Sequence, residues 1–449
     1  MQPWSWVRAL AFAAALLSAC RPVQAQDAPP FDACIDVLRL ERPQQGPWQV
    51  SAQTFETHTR TALDMRPIIL AASESQPEFK LPVWDYLARL VDPQRIADGK
   101  EVLAAQAVAL QAIASRRGVD AATVVAVFGV ETDYGRVEGR HRVIDATLSR
   151  ACLNLDSKER KRHFFAALWL LQEGLVTPDN FRGSWAGAFG LTQFMPGTFV
   201  AHMDDGDGSG VVDIVGSAPD ALATTANYIA SLGWTEGMRW GVEVVLPTDA
   251  TPAWLAPERE HDCLSASETA GKCRSVEQWA ALGVKPVIQP AGAAQREAAF
   301  GLPGGTRAAL LQPAGGAGPA WLITRNYQSV WQYNRADAYA LAIGLLSDAL
   351  RGDPPIRTAW AADDLGLSRA ELRQLQQDLI RLGHADVVAD GFDGPRTREA
   401  VRAEERLRAW PETGRAGSRI ALALKAGPAM APDASPPAVP DEVVPQPAP

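Results

Sequence analysis

A single acidic residue interrupts one of the most apolar runs in the chain. In ATVVAVFGVETDYG, residues 122–135, Glu131 stands where the pattern calls for another aliphatic side chain. On a helix, Val124, Val127, Phe128 and Glu131 share one face. A carboxyl on an apolar face is desolvated, which disfavours its charged form. The last turn of a helix, at the negative end of the dipole, pushes the same way. A carboxyl kept protonated near neutral pH is what a general acid requires. An isolated Glu at a helix end also fits the pattern by reaching into solvent, so this run alone leaves both readings open. Asp133 is not a natural partner, because residues two apart do not face each other on a helix. It is expected to point to solvent or to support the turn that Gly135 closes.

Other reactive side chains point less sharply. GSWAG places Ser184 second, not third, so it is not the nucleophile elbow of a serine hydrolase, and no His stands at useful spacing for a triad. DDGDGSGVVDIVGSAPD, residues 204–220, sets Asp205, Asp207 and Ser209 at positions one, three and five of an EF-hand-like loop, with Gly at six. The Val211 carbonyl, Asp213 and Asp220 would add oxygens. Ser at five and the lack of Glu at twelve depart from the usual pattern, and a Gly/Asp turn without metal fits equally well. Weak calcium binding is the most this loop predicts.

These residues must be positioned by a chain of 449 residues with a hydrophobic fraction of 47%, a charged fraction of 21% and a formal net charge of −9. An acidic chain without a basic stripe is not built to hold a phosphate backbone, so nucleic acid is excluded as a partner. Residues 1–25 read as an export signal: Arg8 is followed by an apolar stretch too short to span a bilayer. LSAC, Leu17 to Cys20, fits a lipobox that would leave Cys20 lipidated after removal of residues 1–19. VQA, Val23 to Ala25, fits an ordinary cleavage site. Either cut leaves Cys34, Cys152, Cys263 and Cys273 in an oxidising compartment. Of the three possible pairings, Cys34–Cys152 with Cys263–Cys273 is preferred; free buried thiols are the alternative. None has the spacing of a zinc site.

Helical periodicity dominates residues 26–350. RIADGKEVLAAQAVALQAIASRRG reads as one helix stopping at Gly118. Asp120 is placed to cap the run that carries Glu131. Further helices are expected in SKERKRHFFAALWLLQEG, PDALATTANYIASLG and NRADAYALAIGLLSDAL. Between Gly241 and Leu322 the pattern weakens, GVEVVLP reads as a strand, and a small β-containing insertion is expected. Residues 351–360 read as a linker, 361–425 as a small helical domain, and 426–449 as a Pro/Ala-rich disordered tail.

VFGVETDYGR, FRGSWAGAFGLTQFMPGTF, PDALATTANYIASLGW, WGVEVVLP and LITRNYQSVWQYNRADAYALAIG, in this order, resemble the MltB-type lytic murein transglycosylases. The resemblance implies a mainly α, lysozyme-like catalytic domain. It implies cleavage of peptidoglycan glycan strands between N-acetylmuramic acid and N-acetylglucosamine, without hydrolysis. Glu131 would be the sole acid and base, and the muramoyl C6 hydroxyl the nucleophile, leaving a 1,6-anhydro end. Ser184, Gln193, Tyr228, Asn334 and Tyr339 match polar positions lining the glycan groove, although Ser184 could merely cap a turn and both Tyr could be core. Trp185 is a weaker sugar-binding candidate. No cofactor is required, and calcium at the acidic loop is a family option. DGFDGPRT, residues 390–397, resembles the signature of a three-helix peptidoglycan-binding domain. Glu404 and Glu405 stand where that family has an aromatic residue and Gln, which puts the local packing in question. The implied setting is the periplasm, as a monomer, with a membrane tether if Cys20 is lipidated. A hydrolytic muramidase of the same fold and a non-catalytic wall-binding protein are the alternatives.

Overall fold

A computed structural model describes residues 29–74, 76, 80–248, 250, 254, 264, 273–287, 300–316 and 318–427. The export signal, Cys20, Cys263 and the tail from residue 428 lie outside the described residues. Among the described residues, no helix is long and apolar enough to cross a membrane. The chain divides into two compact units, residues 1–74 with 138–201, and residues 75–137 with 202–449.

In the first unit, the helices Val143–Leu153 and Lys158–Gln172 pack against each other and against the earlier helices Phe31–Glu41, Ala52–Thr59 and Arg66–Ser73. The expected disulfide Cys34–Cys152 is present and joins the Phe31–Glu41 and Val143–Leu153 helices. Cys273 is also disulfide-bonded. Strands β1 (His141–Arg142) and β2 (Arg182–Gly183) pair antiparallel and lead into the loop carrying Ser184 and Gln193. That loop folds back through a bridge between Phe189 and Phe194.

At the centre of the second unit is the helix Ala121–Thr132. Its residues from Ala122 to Gly129 are all buried, so there is no single apolar face of the kind expected from Val124, Val127 and Phe128. A helix hydrophobic all round belongs inside a helical stack. Here the stack is Asp337–Arg351, Pro93–Ala105, Ala107–Arg117 and Ala218–Ser231. Asp120 caps its start, its side chain accepting from the Thr123 N–H at 3.0 Å. The long helix expected before Gly118 is two helices, broken at Gln106, whose φ of −104° and ψ of 14° leave the helical region. Gly118, at φ 66°, ends the second of them.

The weakly patterned region is a five-stranded antiparallel sheet. Strands β3 (Gly241–Val245), β4 (Cys273–Ser275), β5 (Lys285–Pro286), β6 (Arg307–Leu311) and β7 (Ala320–Ile323) pair in the order β4-β6-β7-β3-β5. Val276, Trp279, Leu310 and Leu322 form its buried core. The stretch 351–360, read as a linker, is tied down. The Arg357 and Thr358 N–H groups donate to the Glu243 carboxylate at 2.9 and 2.8 Å. Trp360 packs on Trp84 and Trp321 with centroids 6.2 and 6.1 Å away.

The helices Arg369–Arg381, Pro395–Leu407 and Ser418–Ala426 close over a core of Leu372, Leu375, Leu379, Val401 and Leu424. Glu404 and Glu405 are buried within it at 3% and 2% exposure. Hydrogen bonds compensate for the missing aromatic. Glu404 engages His384 at 2.9 Å and Arg408. Glu405 accepts from Thr413 Oγ1 and from the Gly414 N–H at 2.7 Å.

Candidate active site

Glu131 is the next-to-last residue of the central helix, half-buried. The helix stops at once: Asp133, Tyr134 and Gly135 all have positive φ, 53°, 58° and 85°. Two non-glycine residues in succession in the left-handed region are costly and persist only where surroundings impose them. Asp133, not Gly135, is therefore the cap residue. Of the two roles expected for Asp133, supporting the turn is the one found, and it does not face solvent. It is 6% exposed, and its carboxylate takes two hydrogen bonds from Arg369, at 2.6 and 3.0 Å. Arg95 stands 3.6 Å away.

Tyr339 reaches Glu131 from the helix Asp337–Arg351, which packs on the central helix. Its hydroxyl donates to Glu131 Oε1 at 2.5 Å. Burial, and then the neighbouring Glu131 carboxylate, push this phenol well above its ordinary range, so it stays a donor. Tyr339 is 2% exposed; its ring is core and only its hydroxyl serves the site. Tyr333, which the sequence reading did not single out, stacks on Tyr339 at 6.2 Å and 21°. Tyr228 follows at 5.3 Å from Tyr333, and His202 at 4.8 Å from Tyr228. A row of rings thus leads to the Glu131 carboxyl. Tyr333 lies six residues before Tyr339 in QYNRADAY, the motif already marked for its Asn. Asn334 is exposed at the end of the Arg325–Asn334 helix, and Arg335, at φ 55°, turns the chain there.

Ser184 and Gln193 belong to the other unit. The Ser184 hydroxyl accepts from the N–H groups of Ala186 and Ala188 at 3.3 and 3.1 Å, which shapes the turn. Gln193, at φ 51°, donates its side-chain amide to the Gly190 carbonyl at 3.0 Å. Trp185 packs against Met65, Ile69, Ala146 and Leu153, which commits its ring to that core. Of the five non-glycine residues with positive φ among the described residues, Asp133, Tyr134, Gln193 and Arg335 fall in motifs that the sequence marks.

Asp205, Asp207 and Asp220 converge, with one carboxylate oxygen from each within 4.8 Å of the others. Asp220 is buried and orders the loop by accepting from the N–H groups of Gly206 and Asp213 at 2.8 Å each. Asp205 accepts from Gly208 and Gly210 at 2.6 and 2.7 Å. Hydrogen bonds from Ser209 and Ser217 hold the Asp207 carboxyl below its usual range. Three oxygen donors of like charge fit a hard divalent cation. Asp213 turns instead to the N–H groups of Val215 and Gly216 at 2.9 Å each. The Ser209 hydroxyl donates to the Val211 carbonyl at 3.0 Å. Of the four expected carboxylates, three converge and Asp213 does not join them.

Residues 31–348 match the model of the transglycosylase SLT domain, and residues 368–424 that of a peptidoglycan-binding domain. Membrane-bound lytic murein transglycosylase B of Escherichia coli (strain K12) is 29% identical over 238 residues, 52% of this chain and 57% of that protein. The chain thus spans little more than half the length of that relative. The crystal structure of SltB3 from Pseudomonas aeruginosa in complex with NAG-NAM-pentapeptide is 36% identical, covers 88% of this chain and 99% of its own, and superposes with a TM-score of 0.63. The Escherichia coli lytic transglycosylase Slt35 in complex with calcium, 23% identical over 72% of this chain and 93% of its own with a TM-score of 0.55, shares the fold.

Proposed function

The chain belongs to the transglycosylase SLT domain family, and from that membership we propose that it is a lytic murein transglycosylase acting on peptidoglycan glycan strands. Its lysozyme-like fold is the one shared with the relatives above. Glu131 protonates the oxygen of the glycosidic bond between N-acetylmuramic acid and N-acetylglucosamine, and the bond to C1 breaks. The carboxylate then takes the proton of the muramoyl C6 hydroxyl as that oxygen bonds to C1. The acid is regenerated, a 1,6-anhydro ring closes, and no water is consumed.

The observation that carries this reading is the commitment of Asp133. Glycosidases that use water need two carboxyl groups flanking the scissile bond. The one nearest to Glu131 in sequence is buried and held by Arg369. With Asp133 so committed, the carboxylate nearest to Glu131 in sequence is not offered to activate water, which supports an internal nucleophile over a hydrolytic muramidase. Tyr228 and Asn334 supply a hydroxyl and an amide for sugar hydroxyls and acetamido groups. The C-terminal helical module docks on the wall and raises the local concentration of substrate. Asp205, Asp207 and Asp220 would hold a weakly bound calcium ion, which would stiffen that loop without entering the chemistry. The protein works in the periplasm, tethered through Cys20 if the lipobox is used.

Mass spectrometry of digested peptidoglycan tests the reaction, with wild type beside Glu131→Gln. Anhydromuramoyl ends from wild type and none from the variant are expected. Reducing muramoyl ends would convert the reading to a muramidase. Undiminished activity of the variant would remove Glu131 from the chemistry.

A further inference from the structure

The C-terminal module is fastened to the helices behind Glu131 by buried charge. Arg369, the first residue of the module's first helix, reaches Asp133 with both terminal nitrogens. Its Nε lies 3.5 Å from Asp92 Oδ2. Arg95 stands against the same two carboxylates, 3.9 Å from Asp92 and 3.6 Å from Asp133. The four side chains are 0–12% exposed. Two arginines and two aspartates thus form a buried cluster, with the exposed Arg136 3.8 Å from Asp133 at its edge, and removing Arg369 takes away the closest cation of Asp133. Arg415 makes a separate attachment to Asp85, with Nη2 2.9 Å from Oδ1, and Arg89 reaches Asp393 at 3.1 Å.

Only the first of these attachments touches the reacting helix. Asp133 is its cap residue, and its N–H donates to the Gly129 carbonyl at 3.1 Å. Arg95 Nη1 donates to that same carbonyl. Glu131 lies between these two fixed points. A carboxylate at a helix C-terminus is opposed by the dipole, and the cations around Asp133 offset that repulsion and fix its side chain. The direction of the Glu131 side chain follows from the conformation of that helix end.

We propose that Arg369 is a positioning residue for Glu131, acting through Asp133, so that the seating of the wall-binding module sets the alignment of the acid. The module is then part of the catalytic frame as well as a docking domain. This rests on Glu131 being the acid.

The test uses the full chain and soluble, uncrosslinked glycan strands, whose cleavage does not depend on docking to an insoluble wall. Arg369→Ala is expected to lower kcat about tenfold while KM moves less than about twofold, the pattern of a misaligned group. Arg369→Lys should recover part of the loss, and adding Asp133→Asn to Arg369→Ala should cost little more. Arg415→Ala removes an attachment that does not reach Asp133 and leaves the module seated through Arg369 and the Arg89–Asp393 pair, so kcat should stay within about twofold of wild type. Circular dichroism at the assay temperature checks that each variant is folded. A folded Arg369→Ala with unchanged kcat would overturn the inference, as would equal losses in Arg369→Ala and Arg415→Ala. If wild type itself makes no anhydromuramoyl product, it is the proposed function that fails.

Discussion

The Tyr339 hydroxyl donates to Glu131 Oε1 at 2.5 Å across a sequence separation of 208 residues. The phenol is fully buried and pushed upward by burial and by the Glu131 carboxylate, so it donates throughout the physiological range. Tyr339→Phe keeps the ring and its stacking on Tyr333 while removing the donor. The expected result is a kcat lowered by about two orders of magnitude, the lower end for loss of a preorganised donor. Stability should change by only about 1 kcal/mol, because half-buried Glu131 can turn to water. Initial rates of glycan cleavage and thermal melting check the two parts. An unchanged kcat would reduce the bond to a packing detail.

Gly129 sets a second test, on which helix propensity and packing disagree. Gly→Ala within a helix stabilises by up to about 1 kcal/mol in the open. Here a Cβ would lie 2.6 Å from Cζ and from the hydroxyl of Tyr134. Tyr134 cannot step aside freely, because its hydroxyl donates to the Arg95 carbonyl at 2.9 Å and its ring meets Phe128 edge-on at 5.7 Å. Overpacking of this kind costs about 1–3 kcal/mol, so Gly129→Ala is expected to be net destabilising. Urea unfolding reads the sign directly. A variant as stable as wild type would mean that the Tyr134 clamp yields.

The acidic loop predicts a response to calcium. Three carboxylates held within 4.8 Å repel one another without a cation. Binding to the folded state alone raises stability by about 1.4 kcal/mol at ten times Kd. Millimolar calcium should therefore raise the melting temperature, and Asp207→Ala should abolish the rise. Asp207 is the informative position, since Asp220 also orders the loop backbone. No calcium-dependent shift in wild type would end the metal reading.

Much of this was legible because the signals are local. A lone carboxylate in an apolar run raised Glu131 as a candidate that the family motifs then favoured, Asp120 marked the helix start, and the loss of helical period marked the sheet that begins at Gly241. What stayed hidden depends on contacts distant in sequence. The Ala121–Thr132 helix is buried all round because Asp337–Arg351 packs on it, and no window around Glu131 contains that partner. Asp133 reads as a solvated charge until Arg369, 236 residues later, is placed beside it. Glu404 and Glu405 look unfit for a core until His384, Arg408, Thr413 and the Gly414 N–H supply hydrogen bonds. The break at Gln106 had no Gly or Pro to announce it.

His163 gives the pH prediction. It is 5% exposed, and its Nδ1 accepts from the Gly197 N–H at 3.1 Å. Burial, then the charges of Arg162 and Arg150, lower its pKa from 6.5 to about 4. Glu159, exposed and 3.8 Å from Nε2, offsets only part of this. Between these two values the unfolded chain binds a proton that the folded chain does not. The contribution is therefore fully present above about pH 6.5 and is lost as pH falls towards 4. Its ceiling is about 3 kcal/mol, from 1.36 kcal/mol per unit of pKa. Wild type should melt at progressively lower temperature from pH 7 to pH 5. His163→Gln keeps an acceptor for the Gly197 N–H without a titrating group, so it should flatten that slope while melting lower at pH 7. A pH dependence identical in wild type and variant would assign the loss to other groups.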